Sequence, residues 1–251
     1  YCTFPTVKMG QMALYDHHAA QCLDGRQPAF TLDQVDAACS ALNTIKYSQT
    51  IILHDEDGKA TLSITPHRAG HLVGASYFLL ESLRDETLVV LVGDYHVAKE
   101  LHLESSTILK YGTTPDVLVC FTGGPVFGSL QKVFGGLKPL LPTPVATQAE
   151  KTLTESILSV LRREGHVLLP TDASGRVLEL LLLLDTHWDR DRFGGAYNLC
   201  WWAPLANNTL DFAKSQLEWM SLGSKFDSSR KNPFQLNHVQ LCSSARELEE
   251  L

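Results

Sequence analysis

The chain has 251 residues, 44% of them hydrophobic and 20% charged, with a formal net charge of −7. That content supports a buried core and excludes a disordered, highly charged chain, and no run approaches the roughly 18–20 uncharged apolar residues of a membrane-spanning helix. The acidic balance argues against a general grip on a nucleic-acid backbone, which needs clustered Lys and Arg.

The first residue is Tyr1, so the N-terminus is expected to be internal to a longer polypeptide. Residues 8–20 follow Pro5 with mixed polarity and read as a helix. His17 and His18 are adjacent within it, and successive helical side chains diverge by about 100°, so a shared metal is not expected. Thr31-Leu-Asp-Gln34 is a helix start: Thr31 can accept from free amides, and Asp33 suits the positive helix end. Val35, Ala38, Cys39 and Leu42 then recur at helical spacing and predict a helix over 32–42.

Residues 50–54 and 60–66 read as strands around the turn Asp55-Glu-Asp-Gly58. Residues 75–80 and 87–92 form a second antiparallel pair beyond the loop 68–74, and 116–121 is a short apolar strand ending at Thr122-Gly-Gly-Pro125. The stretch 127–144 holds Pro139, Pro142 and Pro144, which deny it regular helix; it reads as a linker or covering loop near a domain boundary.

Beyond it helices and strands alternate. A helix over 147–163 ends at Gly165, and 166–170 reads as a buried strand. Gly175 opens a helix over 176–188 whose leucine run 178–184 predicts burial on several sides. A strand at 197–202, a helix at 208–220 and a short terminal helix at 247–251 follow. The order predicts an α/β chain whose second half is a Rossmann-like parallel sheet. Six cysteines, Cys2, Cys22, Cys39, Cys120, Cys200 and Cys242, lack metal-ligand spacing, and reduced intracellular thiols are expected.

Three places can carry chemistry. His71, in the loop Pro66-His-Arg-Ala-Gly-His-Leu-Val-Gly74, could ligate a metal from a sheet edge, and Asp94 after Gly93 could meet it there. Two ligands fall short of the three or four that hold zinc tightly, and the alternative is a turn histidine and a capping aspartate. Asp172, before Gly175, stands where a strand feeds a helix; without a Gly-x-Gly-x-x-Gly or Walker A pattern it reads as a helix cap. Trp201 and Trp202 are neighbours on a strand, point to opposite faces and make no common stacking platform.

Several strings in order resemble one family. Lys8-Met-Gly-Gln-Met12, Leu14-Tyr-Asp16, Ala69-Gly-His-Leu-Val-Gly74, Gly93-Asp-Tyr95 and Leu101-His-Leu103 look like the later parts of a metallo-β-lactamase domain. Thr171-Asp-Ala-Ser-Gly-Arg-Val-Leu-Glu-Leu180, Lys214-Ser-Gln-Leu-Glu-Trp-Met220 and Asn232-Pro-Phe-Gln235 look like its β-CASP insert. Together they resemble the non-catalytic branch of the metallo-β-lactamase/β-CASP family, relatives of the endonuclease of pre-mRNA 3′-end processing. The resemblance implies a partial αββα sandwich over 1–127, lacking its N-terminal part, and a partial β-CASP domain over 128–251.

Active members of that family hold two zinc ions with a His-x-His-x-Asp-His motif, a later His, an Asp and a distal His. By resemblance, His71 matches the later His and Asp94 the bridging Asp; the first motif would precede Tyr1 and the distal His would follow Leu251. The next acidic position falls on or close to Phe121, where active nucleases carry Glu in Glu-Ser-Thr-Tyr-Gly and this chain reads Phe121-Thr-Gly-Gly124. Losing that carboxylate removes a group that orients zinc ligands. The resemblance thus implies no catalytic residue, no bound zinc, and vestigial ligand positions at His71 and Asp94.

It also implies a nuclear scaffold paired with the endonuclease subunit, a symplekin-like scaffold and other polyadenylation factor subunits, touching pre-mRNA indirectly or weakly and no membrane. Arg176, Arg230 and Lys231 are scattered, in keeping with weak RNA contact. The rival expectations are an active zinc-dependent endoribonuclease completed by missing termini, and an α/β interaction domain unrelated to RNA.

Overall fold

The computed structural model describes residues 1–112, 114–120, 145–221 and 232–250, without the side chains of residues 145–147. Phe121, the Thr122-to-Pro125 turn, the stretch 127–144, Arg230 and Lys231 lie outside the described residues. Two compact units form: Tyr1–Val7 with Ala41–Leu141, and Lys8–Ser40 with Pro142–Leu251. In chain order the elements are α1 (Phe4–Leu23), α2 (Leu32–Ser40), β1 (Ile51–His54), β2 (Ala60–Arg68), β3 (Ser76–Ser82), β4 (Leu88–Val92), α3 (Ile108–Tyr111) and β5 (Val117–Cys120). They continue with α4 (Val145–Leu161), α5 (Val177–Arg190), β6 (Leu199–Trp202), α6 (Ala206–Ser215), β7 (Val239–Cys242) and α7 (Ala245–Glu249).

The first unit is built on a five-stranded sheet in the order β1-β2-β3-β4-β5. The first four strands form an antiparallel meander, and β5 adds parallel to β4. Asp55 makes the first hairpin: its Oδ1 accepts from the amides of Asp57 (3.2 Å) and Lys59 (2.9 Å), and Gly58 supplies the left-handed residue at φ 77°. These bonds, with the Arg84 guanidinium 3.0 Å from Oδ2, hold the Asp55 carboxyl below the usual carboxylate range. β2 runs two residues past the expected end, because His67 and Arg68 still find partners in Tyr77 and Ser76. The core under one face gathers Ala69, Tyr77, Val90 and Val92, with Leu79, Tyr95, Ile108 and Cys120 against them.

The second unit is helical with a small parallel sheet, β6 paired to β7 from Leu199↔Val239 to Trp202↔Cys242. The α1 helix starts earlier than its polarity suggests: Pro5 is tolerated in a first turn, and Thr3 Oγ1 accepts from the Thr6 amide at 3.4 Å. The α2 start is a reciprocal capping box, the Thr31 amide donating to Gln34 Oε1 (2.9 Å) and the Gln34 amide to Thr31 Oγ1 (3.2 Å). From residue 8 the chain belongs to the second unit: Lys8 Nζ lies 5.9 Å over the Phe212 ring, and Ser174 Oγ donates to the Met9 carbonyl at 3.1 Å. A single division at 127/128 therefore does not follow the chain's own contacts.

The α4–α5 core is Ile157, Leu184 and Trp188, joined by Leu153, Leu161, Leu169, Phe193, Tyr197 and Leu199. Trp188 Nε1 donates to the Tyr197 carbonyl at 3.0 Å, so its one polar atom is satisfied. As the leucine run predicts, Leu178 and Leu181 to Leu184 are all buried.

Two local expectations are corrected. Residues 166–170 form no strand: Leu168 is 81% exposed, and no ladder joins the segment to β6. The segment bridges two capped helix ends, and those caps, not a sheet, fix its course. The helix expected to Met220 ends at Ser215, where Asn232 Nδ2 donates to the Lys214 carbonyl (3.1 Å) and a short 3₁₀ turn Leu217–Trp219 follows. Finally, β7 has no counterpart in the sequence reading. All six cysteines are free thiols, and among the described residues no helix is long and apolar enough to cross a membrane.

Candidate functional site

Strand direction determines where the candidate ligands gather. β2 and β4 are each antiparallel to β3, and β5 is parallel to β4, so all three end on the same edge of the sheet. His71 follows β2 there and Asp94 follows β4.

The loops at this edge are stitched by backbone hydrogen bonds. The His96 amide donates to the Ala69 carbonyl (2.8 Å), Ser106 N to His96 O (2.7 Å), and Thr107 N to Arg68 O (3.0 Å). His71 and Asp94 each stand two residues from the Ala69–His96 seam. Gly70, at φ 74°, makes the seam possible: a Cβ there would lie 2.6 Å from Ser106 N and 2.7 Å from His96 O. Gly74, at φ 80°, likewise turns where Thr3 Oγ1 (2.6 Å) and Thr6 Oγ1 (3.1 Å) both donate to its carbonyl.

His71 is half-buried and Asp94 exposed. Among the described residues, no hydrogen bond or ion pair joins them, and neither belongs to a group of three or more His, Cys, Asp or Glu side chains with ligand atoms within 4.8 Å. Zinc takes three or four protein ligands, of which these two side chains would supply two at most.

The loop after β4 holds further groups to which the sequence reading gave no role. His96 Nε2 lies 3.5 Å from Glu100 Oε1, Lys99 pairs with Glu104 at 2.6 Å, and His102 is buried. The density of His and Glu over 94–104 is the one sequence signal that pointed to them. Beside the same edge, His67 is buried between the rings of Tyr77 (5.5 Å) and Tyr111 (4.5 Å), with Ser48 Oγ 3.4 Å from Nδ1. Burial pushes its pKa below the ordinary histidine value.

In the second unit Asp172 caps α5, accepting from the amides of Gly175 (2.8 Å), Arg176 (3.0 Å) and Val177 (3.4 Å). The carboxylate thus occupies the helix end that could otherwise receive an anion. Trp201 is buried and Trp202 52% exposed, on opposite faces of β6 as strand geometry requires. Between α4, α5, β6 and residues 166–173 lies an apolar cavity of about 850 Å³, walled by Ile157, Leu161, Leu184, Leu199 and Trp201.

A metallo-β-lactamase superfamily domain model matches residues 1–120. Residues 1–120 belong to the metallo-β-lactamase superfamily. The His71–Asp94 edge is therefore part of a metallo-β-lactamase domain, carried on the carboxyl ends of its strands. Over its whole length the chain is 34% identical to a protein named probable cleavage and polyadenylation specificity factor subunit 2 from Drosophila melanogaster, of which it covers 31%. Against cleavage and polyadenylation specificity factor subunit 2 from Arabidopsis thaliana it is 32% identical over 99% of the chain, again covering 31% of that protein. A relative named endoribonuclease YSH1, from Gibberella zeae, is 35% identical over 59% of the chain and 16% of its own length. The chain spans about a third of the length of the subunit 2 relatives that it matches.

Proposed function

We propose that this chain is part of a non-catalytic subunit of the nuclear pre-mRNA 3′-end cleavage and polyadenylation machinery, with its second unit a β-CASP insert in the metallo-β-lactamase domain. The observation that carries the reading is the reach of the similarity: subunit 2 relatives align along the entire chain, whereas the endoribonuclease aligns over 59% of it. The subunit works by position: it pairs with the endonuclease subunit, a symplekin-like scaffold and other polyadenylation factors, and meets pre-mRNA weakly. The −7 charge supports protein contacts over a backbone grip on RNA.

The edge chemistry supports the absence of hydrolysis. Metal-assisted phosphodiester cleavage needs a firmly held cation that lowers a bound water's pKa to about 7. His71 and Asp94 supply two ligands, and by the family resemblance the position where active nucleases carry glutamate falls on or close to Phe121. In this reading no zinc is held at this edge, and His71 and Asp94 serve as parts of the loop seam.

The second reading, an active endoribonuclease, is favoured by the 35% identity to YSH1 over 149 residues. Metal analysis of the purified full-length protein separates the two. The scaffold reading expects substoichiometric zinc, no RNA cleavage, and co-purification with an endonuclease subunit. About two zinc ions per chain together with cleavage would establish the enzyme instead, and loss of the partner would remove the scaffold role.

A further inference from the structure

We propose that Cys200 and Cys242 form a two-thiolate clamp for a soft monovalent metal ion of the Cu(I) class. The inference is independent of the functional reading above and of the His71–Asp94 edge. The two cysteines are far apart in the chain, and the register of the parallel pair brings them together: Cys200 stands opposite Gln240, and Trp202 opposite Cys242. Side chains alternate along a strand, so Cys200, Trp202, Gln240 and Cys242 share one face, with the two thiols on its diagonal. There the thiols are in hydrogen-bonding contact. Both are free, Cys242 at 2% exposure and Cys200 half-buried, so an ion reaches the pair from the Cys200 side.

The diagonal decides what the pair can do. Strands about 4.8 Å apart that rise about 3.3 Å per residue put the Cα atoms of a diagonal pair roughly 8 Å apart. A disulfide needs Cα atoms within about 6.8 Å and sulfurs about 2.05 Å apart, so these cysteines do not bond to each other unless the strands move. A bridging ion relaxes that demand. Two thiolate–metal bonds of about 2.3 Å in line span about 4.6 Å between the sulfurs.

The donor count selects the ion. Gln240 Oε1, 3.8 Å from Cys200 Sγ, is a neutral and weak third donor. Among the described residues, neither cysteine belongs to a group of three or more His, Cys, Asp or Glu ligand atoms within 4.8 Å of one another. Zinc takes three or four protein ligands, so two sulfurs do not hold it. Soft thiolates favour Cu(I), whose filled d shell accepts two donors in line. Binding exchanges two S–H bonds for two Cu–S bonds and releases two protons to water, with no change of oxidation state. The ion then ties β6 to β7 through side chains as well as through the ladder.

Anaerobic titration of the full-length protein with Cu(I), buffered by the chelator bathocuproine disulfonate, tests the clamp. The native chain should take up one Cu(I), with ultraviolet thiolate-to-metal absorption, that is missing from both Cys200→Ser and Cys242→Ser. Each substitution should weaken the site by more than about 100-fold, since even an outer-shell partner is worth about 10–100-fold to a metal site. Cys22→Ser, an exposed thiol of α1, should leave the site unchanged. X-ray absorption at the copper edge of the loaded native protein needs no variant and should show two sulfur neighbours. Undiminished affinity in either Cys200→Ser or Cys242→Ser would overturn the proposal, as would a third sulfur neighbour. So would a Cys200–Cys242 disulfide formed with oxidised glutathione, because sulfurs that close are not set for an ion between them.

Discussion

The two units solve the same problem, burying an apolar sheet, with opposite economies of chain. In the first, β1 to β4 are consecutive antiparallel neighbours joined by short turns, and every pairing from Ile51↔Ile64 to Phe78↔Leu91 is local. In the second, β6 and β7 are parallel and separated by α6 and more than thirty residues of chain, from Trp202 to Val239. Antiparallel pairs need a two-residue turn, whereas parallel ones need a crossover, so the second sheet rests on helix packing that brings its strands together. Cohesion in the first unit is thus written in ladders and turns, and in the second in an aromatic and aliphatic cluster between helices.

Breaking that cluster should have the largest effect. Trp188 is 2% exposed, packs on Ile157 and Leu184, and meets Phe193 edge-on at 5.8 Å. Trp188→Ala should cost about 3–5 kcal/mol in urea unfolding, through the cavity it leaves and the orphaned Tyr197 carbonyl. Hydrogen exchange should show α4, α5 and β6 opening while β2 to β4 stay protected. Equal loss of protection in β2 to β4 would break the comparison, because the first sheet would then depend on the helical cluster.

The first unit should fail at its seam instead. Gly70→Ala forces a left-handed φ on an L-residue, about 1–2 kcal/mol by itself, and drives a Cβ to 2.6 Å from Ser106 N. The loop after β4 must then leave the end of β2, taking Asp94 away from His71. A destabilisation above about 2 kcal/mol is expected, with exchange accelerating at His96, Ser106 and Thr107 and unchanged at β6 and β7. A neutral Gly70→Ala variant would show that the seam does not organise this edge.

The same contrast explains what could be read in advance. The Asp55–Gly58 turn, the Thr31–Gln34 capping box and the Asp172 cap are local, each made by residues within five positions of one another, and each is legible in sequence. So is the placing of His71 and Asp94 at one sheet edge, because hairpin order fixes strand direction. Residues 166–170 have the composition of a strand, but among the described residues no strand pairs with them, and composition does not encode a distant partner. β7 is four residues long and acquires its partner only through Leu199↔Val239 and the three pairs after it. The end of α6 depends on Asn232, eighteen residues away, reaching the Lys214 carbonyl.

The smallest effect is silent at neutral pH and sharpens the comparison by acid. His67 belongs to the first unit and is stacked between Tyr77 and Tyr111, while Ser48 is its polar neighbour, Arg68 is the cation next to it in sequence, and Lys110 Nζ lies over the Tyr111 ring. Burial holds its folded-state pKa below the ordinary value of 6.5. The unfolded chain therefore binds the proton first as pH falls, and the linkage sign follows: stability is full above about pH 6.5 and declines as pH drops toward the folded pKa. His67→Phe keeps a flat ring between the two tyrosines and removes the titration. Urea midpoints of the first unit measured from pH 7.5 to pH 5 should fall for the native chain and fall less for His67→Phe, whereas those of the second unit should be indifferent to the substitution. Parallel slopes in the two proteins would place the acid sensitivity elsewhere, in carboxylates such as Asp55 whose ion pairs are lost at lower pH.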